Sequence, residues 1–80
     1  MLTVRYFAGA REAAGVASEQ LEVGGPTPVA ALRRALAASR PGLAPVLSRC
    51  ALLVAGSRAT DDTVVPDGAL VDVLPPFAGG

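Results

Sequence analysis

The chain has 80 residues, of which 51% are hydrophobic and 18% charged, and its arginines are balanced by an equal number of acidic residues. This length suits one folded domain with a modest core. Balanced charge without a basic cluster argues against nucleic acid as a partner. No apolar run approaches the roughly 18 residues of a membrane span. One cysteine and no histidine exclude a disulfide framework and the usual zinc and iron–sulfur sites, so neither a metal nor a cofactor is expected.

The first third of the chain predicts two strands joined by a short helical turn. Residues 1–7 alternate between apolar and polar side chains, as in a half-buried strand. The Ala-rich residues 8–15 end in Gly15, which suits a helical turn with a glycine C-cap. Alternation resumes over residues 18–23, close enough along the chain for the two strands to pair.

The clearest helix is predicted over residues 28–38. Thr27 is the expected N-cap, and Pro28 suits the first helical position. The apolar residues at helical spacing are Val29, Leu32, Ala35 and Leu36. Pro41 and the glycine after it end the pattern.

The second half of the chain predicts mainly strands. Residues 43–49 suit a short helical turn or loop, and the apolar run 50–55 suits a central buried strand. Residues 60–62 form a polar turn, and residues 63–65 a short extended piece. Residues 69–74 are the last strand, after a Pro-Asp-Gly turn.

This order of elements predicts an α+β fold in which one main helix packs on one face of a mixed sheet of four or five strands. The first two strands pair, the helix crosses over, and the last strand returns beside the first. That is the β-grasp arrangement, which ubiquitin also has. We expect the β-grasp domain to span residues 1–74. Besides the helix, its core needs Leu2, Val4, Leu21, Val23, Leu52, Val54, Val71 and Val73.

Residues 75–80, Pro-Pro-Phe-Ala-Gly-Gly, are predicted to form an extended tail. The two prolines fix φ and end the strand ladder. Six residues reach at most about 20 Å. Glycine has no Cβ, so Gly79 and Gly80 can enter a slot too narrow for other residues. We therefore expect the tail to deliver the α-carboxyl of Gly80 to another protein.

Two motifs carry a family resemblance. Residues 7–15, Phe-Ala-Gly-Ala-Arg-Glu-Ala-Ala-Gly, resemble the F-A-x-x-R-E-x-x-G stretch of the small subunits of molybdopterin synthase. Residues 67–80 resemble the D-G-D-x-V-x-x-x-P-P-x-x-G-G ending of that family. The chain departs from the family at Ala69, which replaces the second acid, and at Ala55-Gly56, where the family often has Val-Asn.

The resemblance implies a sulfur carrier that is not an enzyme on its own. An ATP-dependent activating enzyme would adenylate the Gly80 carboxyl, and sulfur would then replace the adenylate to give a thiocarboxylate. Phe77, Ala78 and Gly79 would enter the large synthase subunit, where the thiocarboxylate donates sulfur to cyclic pyranopterin monophosphate for molybdenum cofactor biosynthesis. A heterotetramer with the large subunit is implied, and we expect a cytoplasmic protein because the N-terminus lacks the pattern of an export signal.

An apolar patch is predicted on the sheet face away from the helix. Phe7, Leu70 and Leu74 point to that face by alternation, and a contiguous patch beside the tail is typical of a docking surface. These three residues are therefore the predicted partner-docking residues.

Other functions stay open from the residues alone. A sulfur carrier for thiamine or cysteine synthesis would share the tail and its activation, and a ubiquitin-like modifier would join Gly80 to lysines of other proteins. Cys50, which opens an apolar strand, is more typical of a small core residue than of a persulfide carrier. Asp61 and Asp62 are typical of a solvated turn. Arg11 suits either a partner contact or the solvated surface of a helical turn.

Overall fold

The computed structural model describes residues 1–76. In chain order the elements are β1 (Leu2–Tyr6), α1 (Ala8–Ala14), β2 (Ser18–Leu21), β3 (Thr27–Pro28), α2 (Val29–Ser39), α3 (Ala44–Leu47), β4 (Ala51–Val54), β5 (Ser57–Ala59), β6 (Val64–Val65) and β7 (Leu70–Leu74). A 3₁₀ turn, Pro41–Leu43, precedes α3. None of the helices in this part of the chain has the length and apolar character needed to cross a membrane.

Five strands form one mixed sheet in the order β2-β1-β7-β4-β5. The strands β1 and β7 run parallel, with Val4 beside Val71, whereas the other neighbours in the sheet are antiparallel. The last strand thus lies between the first strand and β4, as the predicted crossover requires. The β-grasp prediction is confirmed, including the mixed sheet and the single long helix that packs on it.

The core lies between α2 and one face of the sheet. Val29, Leu32 and Leu36 of α2 are completely buried, as their helical spacing predicted. The sheet contributes Leu2, Val4, Leu52, Val71 and Val73, all 0% exposed. Leu21, Val23 and Val54 are partly buried against this cluster. Burying each large aliphatic side chain contributes about 1.5–3 kcal/mol, so this layer carries most of the favourable free energy of folding.

The predicted N-cap of the long helix is wrong. Thr27 lies in β3, where it pairs with Val65, and its Oγ1 donates to the carbonyl of Gly25 at 3.0 Å. The helix begins at Val29, whose N–H donates to the Thr63 carbonyl at 2.9 Å. A loop distant in sequence therefore accepts the hydrogen bond from the first N–H group of the helix. The local sequence had instead predicted that the Thr27 side chain would bind the free N–H groups at this end.

The strand β5 was not predicted. It follows a two-residue turn in which Ala55 and Gly56 have φ values of 50° and 83°. Positive φ at both central residues matches the right-handed twist of a tight hairpin, so β4 continues directly into an antiparallel β5. This turn adds the fifth strand at the edge of the sheet.

Candidate functional site

The face of the sheet opposite α2 is called the open face here. It is formed by the residues that alternate with the core positions: Ser18, Gln20, Thr3, Arg5, Leu70, Asp72, Leu74, Ala51, Leu53 and Arg58. The backbone of Phe7 is extended, with φ −120° and ψ 148°, so this residue continues the alternation of β1 onto the open face. The open face is therefore the surface on which the predicted docking residues lie.

An ion pair occupies the middle of the open face. Arg5 Nε donates to Asp72 Oδ1 at 2.7 Å, and Arg5 Nη2 donates to Asp72 Oδ2 at 3.0 Å. Asp72 is only 8% exposed, and such a buried carboxylate is stable only when it is paired and hydrogen-bonded. The Arg5 guanidinium also lies 5.6 Å from the centre of the Phe7 ring, within the range of a cation–π contact. The ion pair thus links β1 to β7 and contacts one of the predicted docking residues.

Two of the three predicted docking residues come together. The Phe7 N–H donates to the Val73 carbonyl at 3.2 Å, which places Phe7 beside Leu74 at one end of the open face. Leu70 lies beside Thr3, four residues from Leu74 and therefore about 13 Å away along the strand. Asp72 lies between the two leucines. Phe7 and Leu74 thus form one apolar group at the end where the chain leaves the sheet, and Leu70 is separate from it.

The predicted tail starts at this same end. β7 ends at Leu74, after which Pro75 is half-buried and Pro76 is exposed. The predicted tail residues 77–80, including the Gly80 carboxyl, lie outside the described residues. Their roles therefore stay predictions, as does the boundary between the domain and the tail.

A depression of about 310 Å³ lies beside the point where the tail begins. It is lined by Arg49, Ala51, Leu53, Arg58, Leu74, Pro75 and Pro76. Sequence reasoning missed Leu53 because the apolar run 50–55 was interpreted as a strand buried on both faces, although Leu53 lies on the open face. It missed Arg58 because β5 was not predicted, although the Ala55-Gly56 pair was a usable signal for a hairpin.

The motif over residues 7–15 forms α1 and its flanks. Gly15 ends the helix with φ 81°, and its N–H donates to the Arg11 carbonyl at 2.9 Å, which confirms the glycine C-cap. Ala10 and Ala14 are buried, whereas Arg11 and Glu12 are exposed. Two shallow clefts of about 540 and 440 Å³ both have Arg11 in their lining, and Phe7 lines the smaller one. The motif therefore packs through small residues and leaves Arg11 accessible beside the Phe7 end of the open face.

A second ion pair fixes the other edge of the sheet. Arg40, just after α2, donates from Nε to Glu19 Oε2 at 2.6 Å and from Nη1 to the Ala14 carbonyl at 2.9 Å. The Tyr6 hydroxyl donates to the same Glu19 carboxylate. The hydrogen bonds from Arg40 lower the pKa of Glu19, and burial raises the pKa of Tyr6 above its usual range. This cluster joins β1, β2 and the end of α2, and its role is structural.

The remaining candidates lie in the core or on the surface. Cys50 is 4% exposed, its Sγ donates to the Val46 carbonyl at 3.4 Å, and burial raises the pKa of its thiol. Asp61 accepts a hydrogen bond from Arg33 Nε at 3.2 Å, and Asp62 is exposed. Within residues 1–76, no three acidic, cysteine or histidine side chains come close enough together to hold a metal ion.

Several known proteins are similar to this chain in sequence or in fold. The molybdopterin synthase sulfur carrier subunit of Chlamydomonas reinhardtii is 35% identical over 81 residues, covering 99% of this chain and 98% of that protein. The crystal structure of SAMP1 from Haloferax volcanii has a TM-score of 0.85, with 24% identity over 99% of this chain and 98% of that one, which is a likeness of fold alone.

One chain of a solved protein–protein complex is also similar to this chain. The complex contains subunits 1 and 2 of the molybdopterin-converting factor from Helicobacter pylori, and the matching chain is 25% identical with a TM-score of 0.70, covering 99% of this chain and 97% of that one. The model of the ThiS family matches residues 4–80, which is nearly the whole sequence. The chain therefore belongs to the ThiS family.

Proposed function

We propose that this chain is the sulfur carrier subunit of molybdopterin synthase. The observation that carries the proposal is the relative from Chlamydomonas reinhardtii, a molybdopterin synthase sulfur carrier subunit that is 35% identical over nearly the whole of both chains. In this proposal residues 1–74 form the folded domain, and residues 75–80 form a tail that carries the reacting group.

The reacting group is the α-carboxyl of Gly80. An α-carboxyl has a pKa of about 3.3–3.7, so it is an anion at neutral pH and a poor target for nucleophiles. Activation makes it reactive: a carboxylate oxygen attacks the α-phosphorus of ATP, pyrophosphate leaves, and an acyl-adenylate forms. A hydrosulfide equivalent then attacks the carbonyl carbon. A carbon–sulfur bond forms, AMP leaves, one proton is released, and Gly80 ends in a thiocarboxylate without any change of oxidation state.

Sulfur donation completes the cycle. The thiocarboxylate sulfur attacks an electrophilic carbon of cyclic pyranopterin monophosphate and displaces a carbon-bound oxygen as the leaving group, and water then cleaves the acyl–sulfur bond. The sulfur stays on the pterin product, and Gly80 returns to a carboxylate. In this cycle the chain is the reagent, whereas the activating enzyme and the large subunit supply the catalytic groups.

Partner docking is assigned to the end of the open face that borders the tail. Phe7 and Leu74 lie together there, and apolar anchors near the centre of an interface typically carry most of its binding energy. The complex of subunits 1 and 2 from Helicobacter pylori supports a large-subunit partner. Phe77, Ala78 and Gly79 would then follow into the partner's active site, where a side-chain-free end suits a narrow channel.

Activation can be measured directly. The chain is incubated with ATP and the activating enzyme from the same genome, and pyrophosphate release is followed. We expect release with the native chain and none with a variant that carries one alanine after Gly80, because its Gly80 carbonyl is then an amide and the new terminal residue carries a methyl group where a glycine end is required. A variant with Arg34→Glu, an exposed change on the helix side of the domain, is the matched control and should react normally. Equal pyrophosphate release from the extended variant would contradict the proposal.

A further inference from the structure

The depression beside the start of the tail combines an apolar lining with two arginines. Leu53 and Leu74 line it and are half-buried, whereas Arg49 and Arg58 are exposed. Arg58 pairs across the strands with Leu53, and Arg49 belongs to the segment just before β4. Two cationic groups therefore border the apolar surface beside the point where the tail begins.

These two arginines are not neutralised by other described residues. Arg5, Arg33 and Arg40 each pair with a carboxylate, but within residues 1–76 neither Arg49 nor Arg58 forms an ion pair or a side-chain hydrogen bond. Asp72 is the acidic residue of the open face, and both of its oxygens already accept hydrogen bonds from Arg5. The area around the depression is thus locally positive, although the chain as a whole has a formal net charge of zero.

A partner that covers this depression has to satisfy both guanidinium groups. Burying an unpaired cation is costly, because the charge loses its hydration without gaining a compensating partner. A purely apolar docking surface would therefore bind poorly here, whereas carboxylates beside an apolar group would pair with the arginines and fill the depression.

We propose that Arg49 and Arg58 select a large synthase subunit whose docking surface carries acidic side chains beside an apolar group. This inference rests on the proposed function, because it takes the large subunit as the protein that covers the open face. Charges at the edge of such an interface mainly increase the association rate and exclude wrong partners. The two arginines are thus specificity-determining residues, distinct from the apolar anchors Phe7 and Leu74.

The test compares charge reversals at matched sites. Binding of the large subunit from the same genome is measured by surface plasmon resonance for the native chain, for Arg49→Glu, Arg58→Glu and their double variant, and for the control variant Arg34→Glu. All three arginines are exposed, so each single variant changes the net charge equally. Circular dichroism confirms that each variant is folded.

We expect the Arg49→Glu/Arg58→Glu variant to bind at least about tenfold more weakly at low salt, mostly through slower association. The difference in affinity between this variant and the native chain should become smaller at about 0.5 M salt, where exposed charges are screened within a few ångströms. The control variant should stay within about threefold of the native chain, since its charges lie outside the depression.

The outcomes separate the two claims. If the native chain binds but Arg49→Glu and Arg58→Glu each lose no more affinity than Arg34→Glu, net charge rather than this site governs binding, and the inference is wrong while the proposed function stands. If the native chain does not bind the large subunit at all, the proposed function fails, and the inference fails with it.

Discussion

Replacement of Leu32 by alanine tests whether α2 and the sheet form the core as described. Leu32 is 0% exposed at the centre of the apolar stripe of α2. Truncation of a fully buried leucine removes its transfer free energy and leaves a cavity, which together cost about 2.7–5 kcal/mol. A domain of this size has a total stability of about 4–12 kcal/mol, so the loss is a large part of the whole. With an unfolding entropy of about 0.17 kcal/mol/K for such a domain, a loss of 3 kcal/mol lowers Tm by about 18 °C.

The assay is urea unfolding followed by circular dichroism, with Leu53→Ala as the matched control. Leu53 lies on the open face and is half-buried, so the same truncation there should cost about 1 kcal/mol or less. It should instead weaken partner binding, because Leu53 lines the depression. A loss below 0.5 kcal/mol for Leu32→Ala, or equal losses for the two variants, would refute the assignment of the two faces.

Three further predictions use the same unfolding measurement. Arg5→Ala should destabilise the fold more than Asp72→Ala. Loss of Arg5 leaves the nearly buried Asp72 carboxylate unpaired, whereas loss of Asp72 leaves an Arg5 guanidinium that reaches water. The reverse order of the two losses would contradict the described ion pair. Hydrogen bonds from Arg40 lower the pKa of Glu19 in the folded state. The stability that this pair contributes is therefore fully present above the pKa of Glu19 in the unfolded chain, about 4.3. It is lost as the pH falls through the lower pKa of the folded state. Glu19→Gln should therefore flatten the acid side of the stability profile, and an unchanged profile would count against the pair. Ala55→Asn should raise stability by up to about 1 kcal/mol, because asparagine tolerates the positive φ of this turn better than alanine does; a loss of stability would speak against that backbone conformation.

The layout of the core could be predicted because local periodicity determines it. The stripe of α2 and the alternation of β7 show which side chains face inward, whatever the rest of the chain does. The glycine C-cap of α1 was likewise readable, since Gly15 adopts a positive φ that most residues avoid. The Phe7 and Leu74 group followed from the same alternation.

Features that depend on distant parts of the chain could not be predicted. The start of α2 is satisfied by the Thr63 carbonyl, and no local pattern around Thr27 reveals a partner from another loop. The Arg5–Asp72 pair joins residues 67 positions apart, and it exists only because the parallel register places them side by side. That ion pair also separates Leu70 from Leu74, so the patch that alternation predicted as continuous is divided.

The mass of the intact chain tests the central claim, that Gly80 carries sulfur, most directly. The chain is incubated with its activating enzyme, ATP and inorganic sulfide, and then measured by electrospray mass spectrometry with fragmentation. The proposed function predicts one oxygen replaced by sulfur in the C-terminal fragment that contains Gly80, and no such product when ATP is left out. A chain that never gains sulfur, but becomes linked through Gly80 to lysines of other proteins, would contradict the carrier function and support a protein modifier.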